Sequence, residues 1–325
     1  MKFCIVGAGA TGGFLGARLA RAGEDVTLVA RGPHLAAMRE RGVEVRSPDG
    51  DFAAHPTATD DLAVVGSADA VFLTVKAHSL PEIAPSLVPL LGPQTAVVTA
   101  QNGIPWWYFE HSGGPLEGTR LQTVDPGGVI AANIETRRVL GCVVYPATRI
   151  VAPGIIEHVE GTRFTVGELD DSRSERREAI AAALGRAGLR CPARSRLRHE
   201  IWLKLLGNVA FNPISALTRA TLLEIAGLPE TREVTRAVME EADSVARALG
   251  IALEFTVEQR LRGAEGVGAH KTSMLQDVET GRPLEVEALV GAVVEVAGLL
   301  DIPVPHMRTV YACTKLLDRT LRQAR

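Results

Sequence analysis

The chain is poor in several residue types. Of its 325 residues only four are cysteine, Cys4, Cys142, Cys191 and Cys313, and no two form a C-x-x-C pair. Such scattered cysteines read as reduced, structural thiols of a cytoplasmic protein, not as a disulfide framework. The eight histidines show no H-E-x-x-H or similar ligand spacing, so no metal site is expected. No apolar run of about 20 residues is free of charge, which argues against a membrane span. The apolar start of the chain reads as a strand and a turn, not as a cleavable signal. A formal net charge of −3 offers no basic excess for nucleic acid or an anionic membrane.

Lysine and asparagine are also scarce. The five lysines are Lys2, Lys76, Lys204, Lys271 and Lys315, and arginine is the usual cation. The four asparagines are Asn102, Asn133, Asn208 and Asn212. Aromatic residues make up only 4% of the chain, yet Trp106, Trp107, Tyr108 and Phe109 are consecutive. That run reads either as a special loop or helix beside a site or as local packing.

What is present begins at residue 2. An apolar run, Phe3–Val6, meets Gly7-Ala8-Gly9-Ala10-Thr11-Gly12, and a helix-like stretch follows. In a G-x-G-x-x-G turn the first glycine permits a tight turn. The second lets the backbone approach a pyrophosphate, and the third lets helix and strand pack closely. The helix N-terminus then offers N–H groups and a positive dipole end to phosphates. The next strand, Asp25–Ala30, ends in Arg31 where an NAD site has an acid. A guanidinium there suits a 2′-phosphate, so NADP(H) is the expected cofactor.

The length predicts two domains, and 46% hydrophobic residues allow substantial cores. Strand patterns at 3–6, 26–30, 70–75 and 96–99, with helical stretches between several of them, predict an α/β fold with a doubly wound sheet. Short runs between 141 and 167, broken by Pro and Gly, read as antiparallel strands. A charged helix is expected over 172–187, and Arg190–Ser195 reads as a linker. Long helical patterns follow at 197–211, 231–249, 254–263, 285–300 and 306–323. The division is thus a Rossmann-type dinucleotide-binding domain over 1–193 and an all-helical domain over 194–325. The helical domain is also expected to offer an apolar face for a homodimer.

Candidate chemistry clusters in few places. Lys204, Asn208 and Asn212 recur every fourth residue on one face of an apolar helix that Pro213 is expected to stop. This row reads either as a buried polar stripe needing partners or as an exposed face. Lys76 and Asn102 follow the third and fourth strands, at carboxyl ends where ligands of such sheets bind. Glu285 begins a late helix, where an acid also suits the dipole.

Together these residues resemble the ketopantoate reductase (2-dehydropantoate 2-reductase) family. The resemblance runs through Gly7-x-Gly9-x-x-Gly12, Arg31, Lys76, Gln101-Asn102-Gly103, the Lys204–Asn208–Asn212-Pro213 row, Ser273-Met-Leu-Gln-Asp277 and Glu285. It implies a Rossmann-type domain, a helical domain and NADPH-dependent reduction of a 2-keto acid. By the same resemblance Lys204 is the proton donor, and Asn208, Asn212 and Ser273 hold the substrate. Asn102 touches nicotinamide and substrate, and Arg31 meets the 2′-phosphate. Lys76, Ala147 and Glu285 line the cofactor and the reaction centre. The implied reaction is reduction of ketopantoate to pantoate, in pantothenate and coenzyme A biosynthesis. Two departures bear on substrate choice: the aromatic run follows Asn102, and Thr218–Leu222 lacks a further asparagine. The alternatives are a paralogue reducing another branched or aromatic 2-keto acid, and a non-catalytic NADP(H)-binding regulator.

Overall fold

A strand covered on both faces reads as an unbroken apolar run, and Phe3, Cys4, Ile5 and Val6 are all buried. In the computed structural model, which describes residues 1–192 and 196–323, they form the interior strand of a largely parallel sheet. In chain order the strands are β1 Lys2–Val6, β2 Asp25–Val29, β3 Val43–Arg46, β4 Phe52–Ala54, β5 Thr57–Thr59 and β6 Ala68–Leu73. There follow β7 Leu91–Thr99, β8 Val139–Val144, β9 Ala147–Ala152, β10 Ile155–Glu160 and β11 Phe164–Gly167. The main sheet has the order β11-β8-β7-β6-β1-β2-β5. All of its neighbours are parallel except β11 and β8. From β1 the chain crosses to β2 on one side and later to β6 on the other. This reversal makes the carboxyl end of β1 the switch point of a Rossmann-type fold.

The stretch 141–167 is less uniform than its pattern suggests. β8 joins the main sheet in parallel with β7. The β9–β10 pair instead enters a second sheet, ordered β4-β3-β10-β9, in which β10 lies parallel to β3. The reason is burial: all of β8 is buried, whereas Arg149, Ile150 and Val151 of β9 are exposed.

The helices of this part are α1 Ala10–Arg21, α2 Gly32–Arg41, α3 Leu80–Ile83, α4 Val129–Asn133 and α5 Glu175–Arg186. Phe14, Leu15 and Leu19 of α1 are fully buried with Phe3, Ile5, Leu28 and Phe72 in one core. The later helices are α6 Leu197–Thr218, α7 Leu222–Gly227, α8 Pro229–Ala248, α9 Val257–Val267, α10 Ser273–Glu279, α11 Ala292–Leu299 and α12 Pro305–Gln323. Thr221 and Thr256 begin α7 and α9 with reciprocal capping boxes.

The chain divides into two units. One is Met1–Gln101, Glu110–Ser112 and Gly127–Leu197; the other is Asn102–Phe109, Gly113–Pro126 and Arg198–Arg325. Most of the excursion after β7 thus belongs to the helical unit. A boundary between 193 and 194 lies outside the described residues, as does the end of the Arg190–Ser195 stretch.

Pro213 does not stop α6, which continues to Thr218. An interior proline costs about 3 kcal/mol through a lost N–H and a clash. Burial opposes that cost: Ile214, Ser215 and Ala216 are all buried. The Ser215 hydroxyl also donates to the Asn212 carbonyl at 2.9 Å. Cys4 and Cys142 are buried thiols, and burial pushes Cys4 up to about 12. Cys313 is exposed on α12, so it has no structural role of that kind. Among the described residues no helix is long and apolar enough to cross a membrane.

Candidate active site

The glycines of the first turn have different reasons to be glycine. Gly7 has φ +100°, and a Cβ there would lie 2.6 Å from the Val75 amide nitrogen. A Cβ on Gly12 would lie 2.5 Å from the Gly7 carbonyl oxygen and would also strike the Thr74 hydroxyl. The protein's own packing therefore requires both. Gly9 is unlike them: its Cβ would meet only the Gly7 carbonyl, at 3.9 Å. No neighbour demands a glycine there, whereas close approach of a ligand to the backbone does. No side chain caps α1, and its first turn holds no acid. A helix start of this kind fits a dinucleotide pyrophosphate.

The other cofactor candidates surround this turn by sequence and sheet order. Arg31 is exposed directly after the carboxyl end of β2, as the residue that opens α2. Lys76 is half-buried beyond β6 and opens a short turn, Ala77–Ser79. Ala147 begins β9, and the hydroxyl of its neighbour Thr148 lies 3.5 Å from that of Thr11. Gln101 was quoted in the motif without a role, and the structure supplies one. Its side-chain amide donates to the carbonyls of Leu73, at 2.8 Å, and Val75, at 3.2 Å. It thereby joins the carboxyl ends of β6 and β7.

In the helical unit, Lys204 Nζ donates to Asn102 Oδ1 at 2.6 Å. The two residues are far apart in sequence, so something must hold Asn102 in place. Gly103, at φ +90°, lies flat against Ala288; a Cβ on it would come 2.5 Å from the Ala288 carbonyl carbon. Ile104 N–H then donates to the Ala288 carbonyl oxygen at 2.9 Å. The acceptor stands in a single π-turn, Glu287–Gly291, in which Ala292 N–H bonds the Glu287 carbonyl. An α-turn would have directed that N–H to Ala288. Beyond Ile104 the aromatic run is an anchor. Trp106, Trp107, Tyr108 and Phe109 are all buried, and Trp202 Nε1 on α6 donates to the Tyr108 hydroxyl at 2.7 Å. Arg198 Nε donates to the Tyr108 carbonyl at 2.9 Å. Burial pushes the Tyr108 phenol far above its ordinary value, so it stays neutral, and the Trp202 N–H opposes that only in part.

The remaining predicted residues lie in the same unit. Asn208 is half-buried one turn beyond Lys204. Asn212 is buried, and its Nδ2 approaches the Ser273 hydroxyl at 3.5 Å. Ser273 is exposed at the start of α10, whose cap is Thr272. Glu285 is buried immediately before the helical segment, and its carbonyl accepts Leu289 N–H at 3.1 Å. The row on α6 is thus graded, half-buried at Lys204 and Asn208 and buried at Asn212. No group of three or more His, Cys, Asp or Glu among the described residues is arranged to hold a metal ion.

Two family models match the chain: "Ketopantoate reductase PanE/ApbA" over 3–110 and "Ketopantoate reductase PanE/ApbA C terminal" over 196–318. A 2-dehydropantoate 2-reductase from Mesorhizobium japonicum is 49% identical over 98% of each chain. The chain belongs to the ketopantoate reductase family. The crystal structure of a candidate ketopantoate reductase from Ralstonia solanacearum is similar at 43% identity, with a TM-score of 0.93 over 98% of each chain. That of a PanE/ApbA family ketopantoate reductase from Ralstonia eutropha is similar at 28% identity. Its TM-score is 0.85, over 99% of this chain and all of that one. The family's enzymes are pyridine-nucleotide-dependent oxidoreductases, and the turn around Gly9 is the candidate site for such a nucleotide.

For this ketopantoate reductase family member the aromatic run is internal packing. Its four residues are buried, Trp106 retaining the most surface at 6%, and their burial fixes the backbone that carries Asn102. Tyr108→Phe leaves the buried Trp202 N–H without its acceptor, at an expected cost of about 1–3 kcal/mol. Urea unfolding of the two proteins measures it, and an unchanged midpoint would remove this bond from the account.

Proposed function

We propose that the protein reduces ketopantoate to pantoate with NADPH, and that Lys204 supplies the proton. The observation that carries this reading is the 2.6 Å hydrogen bond from Lys204 Nζ to Asn102 Oδ1. An ammonium has three N–H donors, and Asn102 directs one of them. When bound, the reduced dinucleotide supplies a hydride to the ketone carbon. As the carbonyl electron pair moves onto oxygen, the ammonium of Lys204 stabilises the growing charge and transfers its proton there. The product is a hydroxyl, and a neutral lysine remains to be reprotonated from solvent.

Asn208, Asn212 and Ser273 are assigned to the carboxylate and hydroxyl of the substrate. Glu285, a buried acid, belongs with the reaction centre in this reading, as do Lys76 and Ala147 with the cofactor. The preference for NADPH rests on Arg31: it is exposed at the end of β2, and Ala30-Arg31-Gly32 contains no acid to hold a 2′-hydroxyl. As parts of the same proposal, the enzyme works in the cytoplasm, and exposed Leu228 and Leu316 are surface on which a homodimer would form.

The direct test is oxidation of NADPH with ketopantoate beside a panel of branched and aromatic 2-keto acids. The proposal expects the highest kcat/KM for ketopantoate. A clear lead for another panel member keeps the chemistry and discards this substrate, and tight NADPH binding without any turnover discards the enzyme. Arg31→Asp is expected to shift the kcat/KM preference from NADPH toward NADH, and an unaltered ratio would free Arg31 of the 2′-phosphate.

A further inference from the structure

A buried glycine inside a long helix needs a reason, because glycine is a poor helix former. Gly207 is buried in the 22-residue α6 and shows no positive φ. Its reason is a guanidinium. A Cβ on Gly207 would lie 2.5 Å from Arg260 Nη2, 2.9 Å from Nε and 3.1 Å from Cζ. Arg260 therefore rests on the bare backbone of α6, where any side chain would lift it off.

The place matters. Positions 204, 207 and 208 are related by three and four residues, so they form one patch, with neighbouring Cβ positions about 5–6 Å apart. The guanidinium of Arg260 thus lies over the face that carries Lys204 and Asn208. Its own helix is held firmly. Thr256 and Gln259 close a capping box at the start of α9. Arg232 of α8 bonds both Glu258, at 2.7 Å, and Glu265.

A guanidinium on the patch that carries Lys204 presents a planar fork of N–H donors beside the ammonium, a geometry suited to an anion. A 2-keto acid has the matching shape: its carboxylate is one bond from the ketone carbon. We propose that Arg260 joins the polar groups assigned above in binding the carboxylate of the 2-keto acid, on the floor made by Gly207, while Lys204 faces the ketone oxygen. This rests on the reductase reading above. A planar fork suits a carboxylate bidentately, which a lysine or an amide cannot reproduce. Arg260 is then a specificity residue: it selects keto acids over neutral ketones.

The test compares ketopantoate with its uncharged lactone in the wild type and three variants. Arg260→Met is expected to lower kcat/KM for ketopantoate by about 10- to 100-fold, the effect of losing charged hydrogen bonds, and to leave the lactone unchanged. Arg260→Lys is expected to recover part of the loss. Gly207→Ala favours the helix yet displaces the guanidinium, so it is expected to impair ketopantoate alone. Equal losses on both substrates, or no loss on either, overturn the proposal. Binding of oxamate, an inert 2-oxo acid analogue, followed by calorimetry, separates this from the reductase reading. Should the wild type reduce no 2-keto acid, oxamate binding that disappears in Arg260→Met still supports the anion site, and binding that persists overturns it.

Discussion

The hydrogen bond between Lys204 and Asn102 depends on a backbone docking that precedes it. Asn102 lies on a segment that leaves β7 and belongs to the helical unit. Its position is set by Gly103 against Ala288, by the Ile104 N–H on the Ala288 carbonyl, and by the buried aromatic run. The π-turn at Glu287–Gly291 belongs to the same arrangement, since it redirects the Ala292 N–H away from Ala288. An ammonium held in one direction loses less freedom at the moment of proton transfer. The hydrophobic burial of Trp106–Phe109 thus becomes the orientation of a single N–H bond on Lys204.

The glycine turn shows a different division of labour. Gly7 and Gly12 are required by the fold, through a positive φ and a helix–strand approach. Gly9 is required by neither, so it is the member of the motif that speaks for a ligand. Gln101 supports the same region by joining the ends of β6 and β7. Such ties keep the carboxyl edge of the sheet in register around the proposed dinucleotide site.

Much of this was legible in the sequence. Phe3–Val6 with its glycine turn announces a parallel sheet, and the long helical patterns from 197 onward correspond to α6, α8, α9, α11 and α12. The course of α6 past Pro213 was not legible, because local proline chemistry was outweighed by burial of Ile214 and Ala216. The partition of 141–167 between two sheets was hidden for a similar reason: β8 and β9 both look like short strands, and only burial separates them. The aromatic run was visible as an oddity, but its purpose depends on Trp202, far away in the chain. Gly207 was not singled out in the sequence, because its reason, the contact with Arg260, exists only in the fold.

The measurement closest to the central claim is single-turnover reduction of ketopantoate by Lys204→Ala, beside the affinity of the same variant for NADPH. The account predicts a fall in rate of about 10²- to 10⁴-fold, the usual contribution of a positioned proton donor, with NADPH bound as in the wild type. A variant that binds NADPH normally and reduces ketopantoate at the wild-type rate would contradict it.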